Sequence, residues 1–324
     1  MALDSAAQIT AISQFVGSEG TPDDLVSRGQ GHFFHYIDFA AFTNIAMKAD
    51  LWLTDARCSN DADEIEHGRL LIADLIRAHA EGGKTQEVRL LAKDLGAEME
   101  AEAKRRDNVD AKRKEKAPDP VYVCCFCATK ETGDLLSQWR GYAANGGGVA
   151  IEIDPRNFRR LASVDCPIGL MRFWRVYYQN DEKRVKVEDV LNYWAAQPAP
   201  PDVRAQSAAA TLQFFAPTFK NPMFAEEREW RLIFTPRPNG KVSPKFRFAR
   251  GLIVPYFELA ELVKNYRLGP QPPGVEKPPI IGIKSVRVGP GPYQKENARS
   301  ARTLLDSYGF NDAEVLLSDI PFRG

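Results

Sequence analysis

The chain has 324 residues, with 43 Lys and Arg against 43 Asp and Glu, so its formal net charge is zero. Such a length suits one large domain or two ordinary ones, and it buries enough surface to fold without disulfides or metals. Apolar residues make up 44% of the chain, which excludes a disordered or fibrous protein. Zero net charge also argues against a protein that coats nucleic acid regardless of sequence.

The charges are unevenly distributed along the chain. Residues 1–66 carry 11 acids and 3 bases, which leaves 40 bases and 32 acids in the rest. The acids include the stretch 61–66, whereas residues 226–250 contain three acids and seven bases. If these two stretches line one cleft, a locally basic site for a dinucleotide phosphate is compatible with a neutral chain.

The sequence indicates a reducing compartment and no membrane span. No apolar run approaches the roughly 20 residues of a spanning helix, and the start of the chain lacks the pattern of a signal peptide. The cysteine count is odd, and Cys124, Cys125 and Cys127 lie in one apolar stretch, VYVCCFCAT. Since no second Cys or His pair follows at zinc spacing, we interpret them as reduced thiols in a strand. We therefore expect a cytoplasmic protein without a membrane partner.

Hydrophobic periodicity predicts intermixed helices and strands. Residues 1–30 form an N-terminal extension, and one α+β domain spans 31–320 with a charged helical insertion at about 68–118. Strands are predicted at 31–37, 51–55, 121–129, 149–154, 170–178, 227–235, 280–290 and 313–318, and helices at 38–50, 66–80, 86–106, 134–143, 182–195, 202–216 and 296–309. The stretch 245–263 reads as strand, turn, strand and helix. Because there is no strict βαβ rhythm, we predict a mixed, mostly antiparallel central sheet flanked by helices.

Three groups of residues are candidates for chemistry. His35 and Tyr36 on a first strand, with Trp52 and Thr54 on a second, can place an imidazole, a hydroxyl and an aromatic face in one cleft; the alternative is a strand-end histidine satisfied by hydrogen bonds. Gln138 and Arg140 on one helix can reach a ligand, and Arg140 can clamp a phosphate or form a surface ion pair. The third group is an acidic stretch that can hold a hard cation. Helix capping explains most of its carboxylates, so we expect no metal there. Its members are Asn60, Asp61, Asp63, Glu64, Glu66 and His67.

The most specific group lies in the stretch FKNPMFAEEREWRLIF. Alternation along a strand puts Glu229 and Arg231 on one face and Trp230 on the other. If Trp230 faces the core, Glu229 and Arg231 face a ligand-accessible side, where a carboxylate beside an arginine stays charged. Such a glutamate can orient a ribose hydroxyl or stabilise a cationic transition state. The alternative is a structural salt bridge.

Taken in order, these stretches resemble the bacterial domain of unknown function 2971 family, over roughly residues 33 to 305. The resemblance rests on His35-Tyr36, Asn60-Asp61, Gln138-Trp139 with Tyr142, Glu227-x-Glu229-Trp230-Arg231 and Gly289-Pro290. The family's usual proline after Asn-Asp is absent, since this chain reads Asn60-Asp61-Ala62.

The opening strands also resemble those of ADP-ribosyltransferase-like domains, including the DNA-modifying DarT toxins. The resemblance implies that NAD is the cofactor, that His35 holds its ribose, and that Trp52 or Thr54 flanks the nicotinamide. Tyr36 is a further cofactor-binding candidate. It implies Glu229 as the catalytic acid, Arg140 or Arg231 at the pyrophosphate, and Gln138 as a supporting or acceptor-binding residue.

We therefore expect an NAD-dependent ADP-ribosyltransferase-like enzyme, a toxin or anti-phage defence effector that modifies nucleic acid or protein. An antitoxin or another defence-system protein would be its partner. Two alternatives stay open. One is a metal-dependent nuclease in which Asp61, Glu64 and Glu229 hold Mg²⁺ and the bases of 104–116 touch phosphate. The other is a non-catalytic module that senses a nucleotide.

Overall fold

The computed structural model describes residues 31–58, 64–110, 120–130, 133–155, 158, 168–237, 240–249, 251–264 and 281–321, without the side chains of 64 and 101–110. They fall into two compact units. The described residues of unit 1 lie within Ala56–Val121 and Val176–Ala225, and those of unit 2 within Gly20–Asp55, Tyr122–Arg175 and Glu226–Gly324. The extension predicted at 1–30 lies outside the described residues, and the predicted domain boundaries stay a prediction.

The regular elements follow one another as a mixture of helices and strands, as expected. In chain order they are β1 (His32–Asp38), α1 (Phe39–Lys48), β2 (Trp52–Asp55), α2 (Glu64–Gly82), α3 (Gln86–Asp110), β3 (Tyr122–Thr129), α4 (Leu136–Tyr142), β4 (Gly148–Ile153), β5 (Gly169–Arg175), α5 (Asn180–Ala195), α6 (Pro201–Phe215), β6 (Glu229–Pro236), β7 (Lys245–Ala249), β8 (Leu252–Glu258), α7 (Leu259–Lys264), β9 (Ile283–Val288), α8 (Gln294–Ser307) and β10 (Glu314–Leu317).

Unit 1 is helical in its described part. Helices α2 and α3 pack on each other, and α3 also packs on α5 and α6. Ile72 and Ile76 on α2 are buried, as are Leu91 and Leu95 on α3, so each helix presents one apolar stripe at a spacing of four residues. Helix α6 begins with Pro201 at its first position, where the missing N–H costs nothing.

Unit 2 contains a sheet of ten strands. Its main path runs β10-β9-β4-β1-β3-β2-β8-β7, and β6 pairs with β3 and β5. The β9–β10 pair is parallel, while the other pairs are antiparallel. The predicted class, α+β with a mixed and mostly antiparallel sheet, is confirmed. None of the described helices is long and apolar enough to cross a membrane.

The sheet is divided at one edge of β3. On that edge β1 pairs with residues 127–129 of β3, and β2 pairs with residues 122–123. The other edge of β3 pairs with β6 from residue 122 to residue 127. At the gap between β1 and β2, Nδ1 of His35 donates a hydrogen bond of 2.8 Å to the carbonyl of Cys125. A side chain thus satisfies a backbone group that the two strands leave uncovered.

The two faces of the sheet differ in what covers them. The core face carries Phe33, Phe126, Leu232 and other buried apolar residues that form the main core with α1 and α8. The opposite face, called the second face below, carries Phe34, Tyr36 and Cys127 near β1 and β3, and α4 packs there through Trp139. The Tyr36 and Trp139 rings meet edge to face, with centroids 5.0 Å apart. The second face is the one that holds most of the predicted site.

Candidate functional site

Five of the predicted site residues project from the second face. Tyr36 is buried there beneath α4. Cross-strand partners share a face, so Glu229 lies beside Cys127, Arg231 beside Cys125, and Thr54 beside Val123, with Trp52 two residues further along β2. Trp230, between Glu229 and Arg231, belongs to the main core on the other face, which is the alternation that the sequence predicts.

His35 is not brought to the same face as Glu229. It lies between Phe34 and Tyr36 on β1, so it points toward the core face, where its ring centroid is 5.5 Å from that of Phe126. Its pKa is lowered by burial, and the hydrogen bond to the Cys125 carbonyl opposes that shift. His35, Thr54 and Glu229 therefore do not line one cleft as expected. Alternation along β1 puts the imidazole on the core face, whereas Thr54 and Glu229 lie on the second face.

Glu229 and Arg231 form a buried ion pair. Glu229 is 7% exposed, so the sequence expectation of a ligand-accessible carboxylate needs correction. Arg231 donates from Nε to Oε1 of Glu229 at 2.7 Å and from Nη2 to Oε2 at 2.8 Å. Such a two-pronged contact fixes the guanidinium plane in the orientation that suits a planar anion. The pair is built by two alternate residues of one strand.

Polar groups surround this ion pair. The Tyr142 hydroxyl donates a hydrogen bond of 2.7 Å to Oε1 of Glu227, which lies two residues before Glu229. Burial raises the pKa of Tyr142, and Glu227 and Glu229 raise it further. The pKa of the Cys125 thiol is raised well above its ordinary value by burial and then by the charge of Glu229. Neither group is therefore an activated nucleophile at neutral pH.

Gln138 completes the group, which we call the β6 cluster: Cys125, Gln138, Tyr142, Glu227, Glu229 and Arg231. Gln138 is 5% exposed and lies one helical turn before Tyr142, on the same side of α4. Among the residues that the structure describes, no protein group forms a hydrogen bond with its side-chain amide. Arg140, on the same helix, is exposed to solvent, as the sequence allows.

Trp52 and Thr54 belong to a neighbouring part of the second face. The guanidinium of Arg247 lies 5.1 Å from the Trp52 ring centroid, and Arg247 Nη2 donates a hydrogen bond of 3.1 Å to the Thr54 hydroxyl. Thr54 is level with Ile233 on β6, four residues from Glu229, since both pair with Val123 of β3. Standard sheet spacings put the Cα atoms of Thr54 and Glu229 about 16 Å apart. Only an extended ligand could touch both.

A histidine that no sequence motif indicates also lies on the second face. His32, two residues before Phe34, has Nδ1 2.7 Å from Oε1 of Glu152, whose Oε2 accepts a hydrogen bond of 2.7 Å from Ser285. The only sequence signal is the charged Glu152 in the apolar strand VAIEID, because the three residues come from distant strands. Glu152 orients the imidazole, so His32 is the histidine with a carboxylate partner on this face.

A metal site finds no support among the described residues, which contain no group of three His, Cys, Asp or Glu side chains placed to hold an ion. Asp61 and Asp63 lie outside the described residues, so the predicted capping role of that stretch stays a prediction. No disulfide joins the four described cysteines, which are Cys58, Cys124, Cys125 and Cys127.

Comparisons with known proteins agree with part of the resemblance. Neither the search of curated proteins nor the search of solved structures found a match. A family profile matches residues 138–232, a narrower range than the 33–305 that the motifs indicate. The matched segment contains most of the β6 cluster, from Gln138 on α4 to Arg231 on β6. Residues 138–232 are thus similar to the family described as "Protein of unknown function (DUF2971)".

Proposed function

We propose that unit 2 binds a nucleotide at the β6 cluster, with NAD as the first ligand to test. The observation that carries this proposal is the side-chain amide of Gln138. The residue is only 5% exposed, yet no described group forms a hydrogen bond with the amide, so its polar atoms are left to solvent or a ligand. A side-chain amide offers a donor and an acceptor side by side, which matches the edge of an adenine or a carboxamide.

The neighbouring side chains suit the ribose hydroxyl groups of a nucleotide, because Glu227 and Glu229 offer carboxylate acceptors. The two-pronged side of Arg231 is already occupied by Glu229 and holds that carboxylate in place. Glu227 and Tyr142 add an acceptor and a hydroxyl within the same cluster. An apolar ligand would bury these groups without replacing their hydrogen bonds, which would cost free energy.

Thermal melting with NAD, ADP-ribose, AMP and ATP tests the proposal. A ligand that binds the folded state alone raises the melting temperature, and the stabilisation grows with the logarithm of its concentration relative to Kd. We expect at least one of the four to raise it for the wild type and to lose that effect in Gln138→Leu. Gln86→Leu, at an exposed position of α3, is the matched control. No shift with any of the four, or an equal shift in Gln138→Leu, would refute the proposal.

A second candidate function is the NAD-consuming transfer that the sequence analysis expects. The observation in its favour is that Trp52 lies on the same face as Glu229, with its ring centroid 4.8 Å from that of Tyr256 and the two ring planes tilted by 41°. In this version His35 has no role at the ribose, and Glu229 or Glu227 would stabilise the positive charge that develops as nicotinamide leaves.

Nicotinamide release separates the two candidates. We compare the wild type with Glu229→Gln and Glu227→Gln, offering single-stranded DNA, RNA and protein as acceptors. Release by the wild type that is lost in a variant still able to bind NAD supports transfer. If NAD raises the melting temperature while no nicotinamide appears, the transferase is excluded and the binding module remains. The toxin, defence and antitoxin expectations depend on that result.

A further inference from the structure

Strands β7 and β8 form a two-stranded ribbon beyond the rest of the sheet. β2 pairs with Tyr256, Phe257 and Glu258 of β8, so residues 252–255 have β7 as their described strand partner. β7 is also the last strand on the path of the sheet, with no described strand on its outer edge. We call residues 245–255 the β7–β8 ribbon. A ribbon of two strands buries little of its own surface.

Apolar side chains surround the tip of this ribbon. Phe248 and Ile253 face each other across the strands and are 80% and 73% exposed. Phe246, two residues before Phe248, lies on the same face and is also mostly exposed. Leu252 is exposed on the opposite face of the ribbon. Exposed apolar groups of this size mark an interaction surface rather than ordinary solvent-facing surface.

Bases outnumber acids around the ribbon. From Lys241 to Phe257 the chain contains four Arg and Lys residues and no Asp or Glu. Lys241, just before β7, is exposed. Lys245 forms ion pairs with Glu258 and Glu261 on the face opposite Phe246, so the cations and phenyl rings lie on separate faces. The ribbon therefore combines an apolar tip with a cationic base, which favours an anionic partner.

A second copy of the chain fits this surface poorly. The exposed parts of the four apolar side chains amount to roughly 500 Å², whereas a stable protein interface buries about 800 Å² on each partner. If β7 paired edge to edge with the β7 of a second copy, the phenyl rings of the two copies would lie opposite each other. Lys245 and Arg247 of one copy would then lie opposite basic residues or a small residue of the other copy. Like charges in directly opposed positions destabilise a strand pair.

Single-stranded nucleic acid also explains only part of the pattern. Bases stack on aromatic rings, so Phe246 and Phe248 would serve, but Ile253 and Leu252 have no ring to offer. The apolar groups occupy both faces of the tip, and a fluid phase can contact both at once. We therefore propose that the β7–β8 ribbon docks by its tip on a bilayer surface that contains anionic phospholipid. Such docking needs no spanning helix, so it replaces the expectation of no membrane partner, which rested on the lack of an apolar spanning run.

Vesicle co-sedimentation tests this proposal with the full chain. We expect it to sediment with phosphatidylcholine vesicles that contain phosphatidylglycerol, less with phosphatidylcholine alone, and less again as salt is raised. The double variant Phe248→Ser/Ile253→Ser removes two apolar side chains of the tip. Both positions are exposed, so the variant retains its fold. The double variant should bind anionic vesicles at least about ten-fold more weakly, because it lacks two apolar side chains that the bilayer would bury.

Met223→Ser is the matched control, since Met223 is 86% exposed but lies in unit 1, away from the ribbon in sequence. It should bind as the wild type does. Equal binding by the wild type and the double variant, or no sedimentation with anionic vesicles, would overturn the proposal. The proposal would also be overturned if the double variant bound vesicles as the wild type does but lost self-association or oligo(dT) binding. Loss of self-association would assign the ribbon to a second copy, and loss of oligo(dT) binding would assign it to nucleic acid.

Discussion

Arg231 holds Glu229 through two hydrogen bonds from one guanidinium, with both side chains almost fully buried. Removing one partner of such a pair leaves an uncompensated charge in the interior. We expect Arg231→Met to lower the free energy of unfolding by about 3–5 kcal/mol, measured by urea denaturation.

The double variant Glu229→Gln/Arg231→Met is the informative comparison for this pair. With both charges gone, no unpaired ion remains, so the double variant should be more stable than Arg231→Met alone. Additive losses in the two single variants would show that Glu229 and Arg231 are not coupled, against the geometry described here.

Gln138→Leu should stabilise the protein without ligand. Leucine fills a similar volume and places an apolar side chain at a position that is 5% exposed, so we expect the free energy of unfolding to rise by about 1 kcal/mol. Gln86→Leu on the surface should change it by less than about 0.5 kcal/mol. Stabilisation together with loss of the nucleotide-induced shift is typical of a binding residue. A clear destabilisation would indicate that the amide supports the fold.

Asp50 makes stability depend on pH in the acid range. Burial raises its pKa to about 6, although the backbone N–H groups of Ala260 and Leu51, which donate to Oδ1, oppose the shift. Between the unfolded value of 3.8 and about 6, the folded chain holds more protons than the unfolded chain. The contribution of Asp50 to stability is therefore full below pH 4 and falls as pH rises to about 6.

Asp50→Asn should remove this part of the pH profile, because the amide keeps an acceptor oxygen and cannot ionise. We expect its stability relative to the wild type to increase by on the order of 2 kcal/mol between pH 4 and pH 7, measured by urea denaturation. Asp312→Asn, at an exposed position, is the control and should leave the slope unchanged. Parallel profiles for the wild type and Asp50→Asn would contradict the raised pKa.

The glycine run before β4 can be tested as a packing feature. A Cβ on Gly148 would lie 2.1 Å from the carbonyl oxygen of Ile37, whereas on Gly147 its nearest neighbour would be 3.4 Å away. Gly148→Ala should cost about 2–3 kcal/mol, because the β1–β4 ladder must shift, and Gly147→Ala should cost less than about 0.5 kcal/mol. Thermal melting compares the two. Similar losses would mean that the close approach to Ile37 is not what selects glycine.

Local patterns in the sequence predict much of the fold. Alternation along β6 places Trp230 in the core and Glu229 with Arg231 on the other face, and the structure confirms it. Helix α1 likewise begins at a typical capping residue, since Asp38 accepts a hydrogen bond of 2.7 Å from the Ala41 N–H. Both depend on residues a few positions apart, where helix and strand periodicities decide.

The site depends on relationships that no local pattern contains. His32 and His35 both lie near the start of β1. The face that each shares with Glu229, or does not share, follows from how β1 and β6 pair with β3, and β1 and β6 are nearly 200 residues apart in the sequence. The contact between His32, Glu152 and Ser285 likewise joins three strands. The burial of Glu229 arises from α4 and its neighbours in space. Tertiary packing, rather than propensity, decides these features.

The order in which the strands meet has a consequence for synthesis. Unit 2 is assembled from separate stretches of chain, and its central strand β4 pairs with β1 and with β9, more than a hundred residues apart on either side. Contacts of such high contact order form slowly. The described α-helices of unit 1 are all made by Phe215, before β9 leaves the ribosome. The nascent chain would therefore hold these helices together with an incomplete sheet, whose open edge at β4 needs protection from aggregation until β9 arrives.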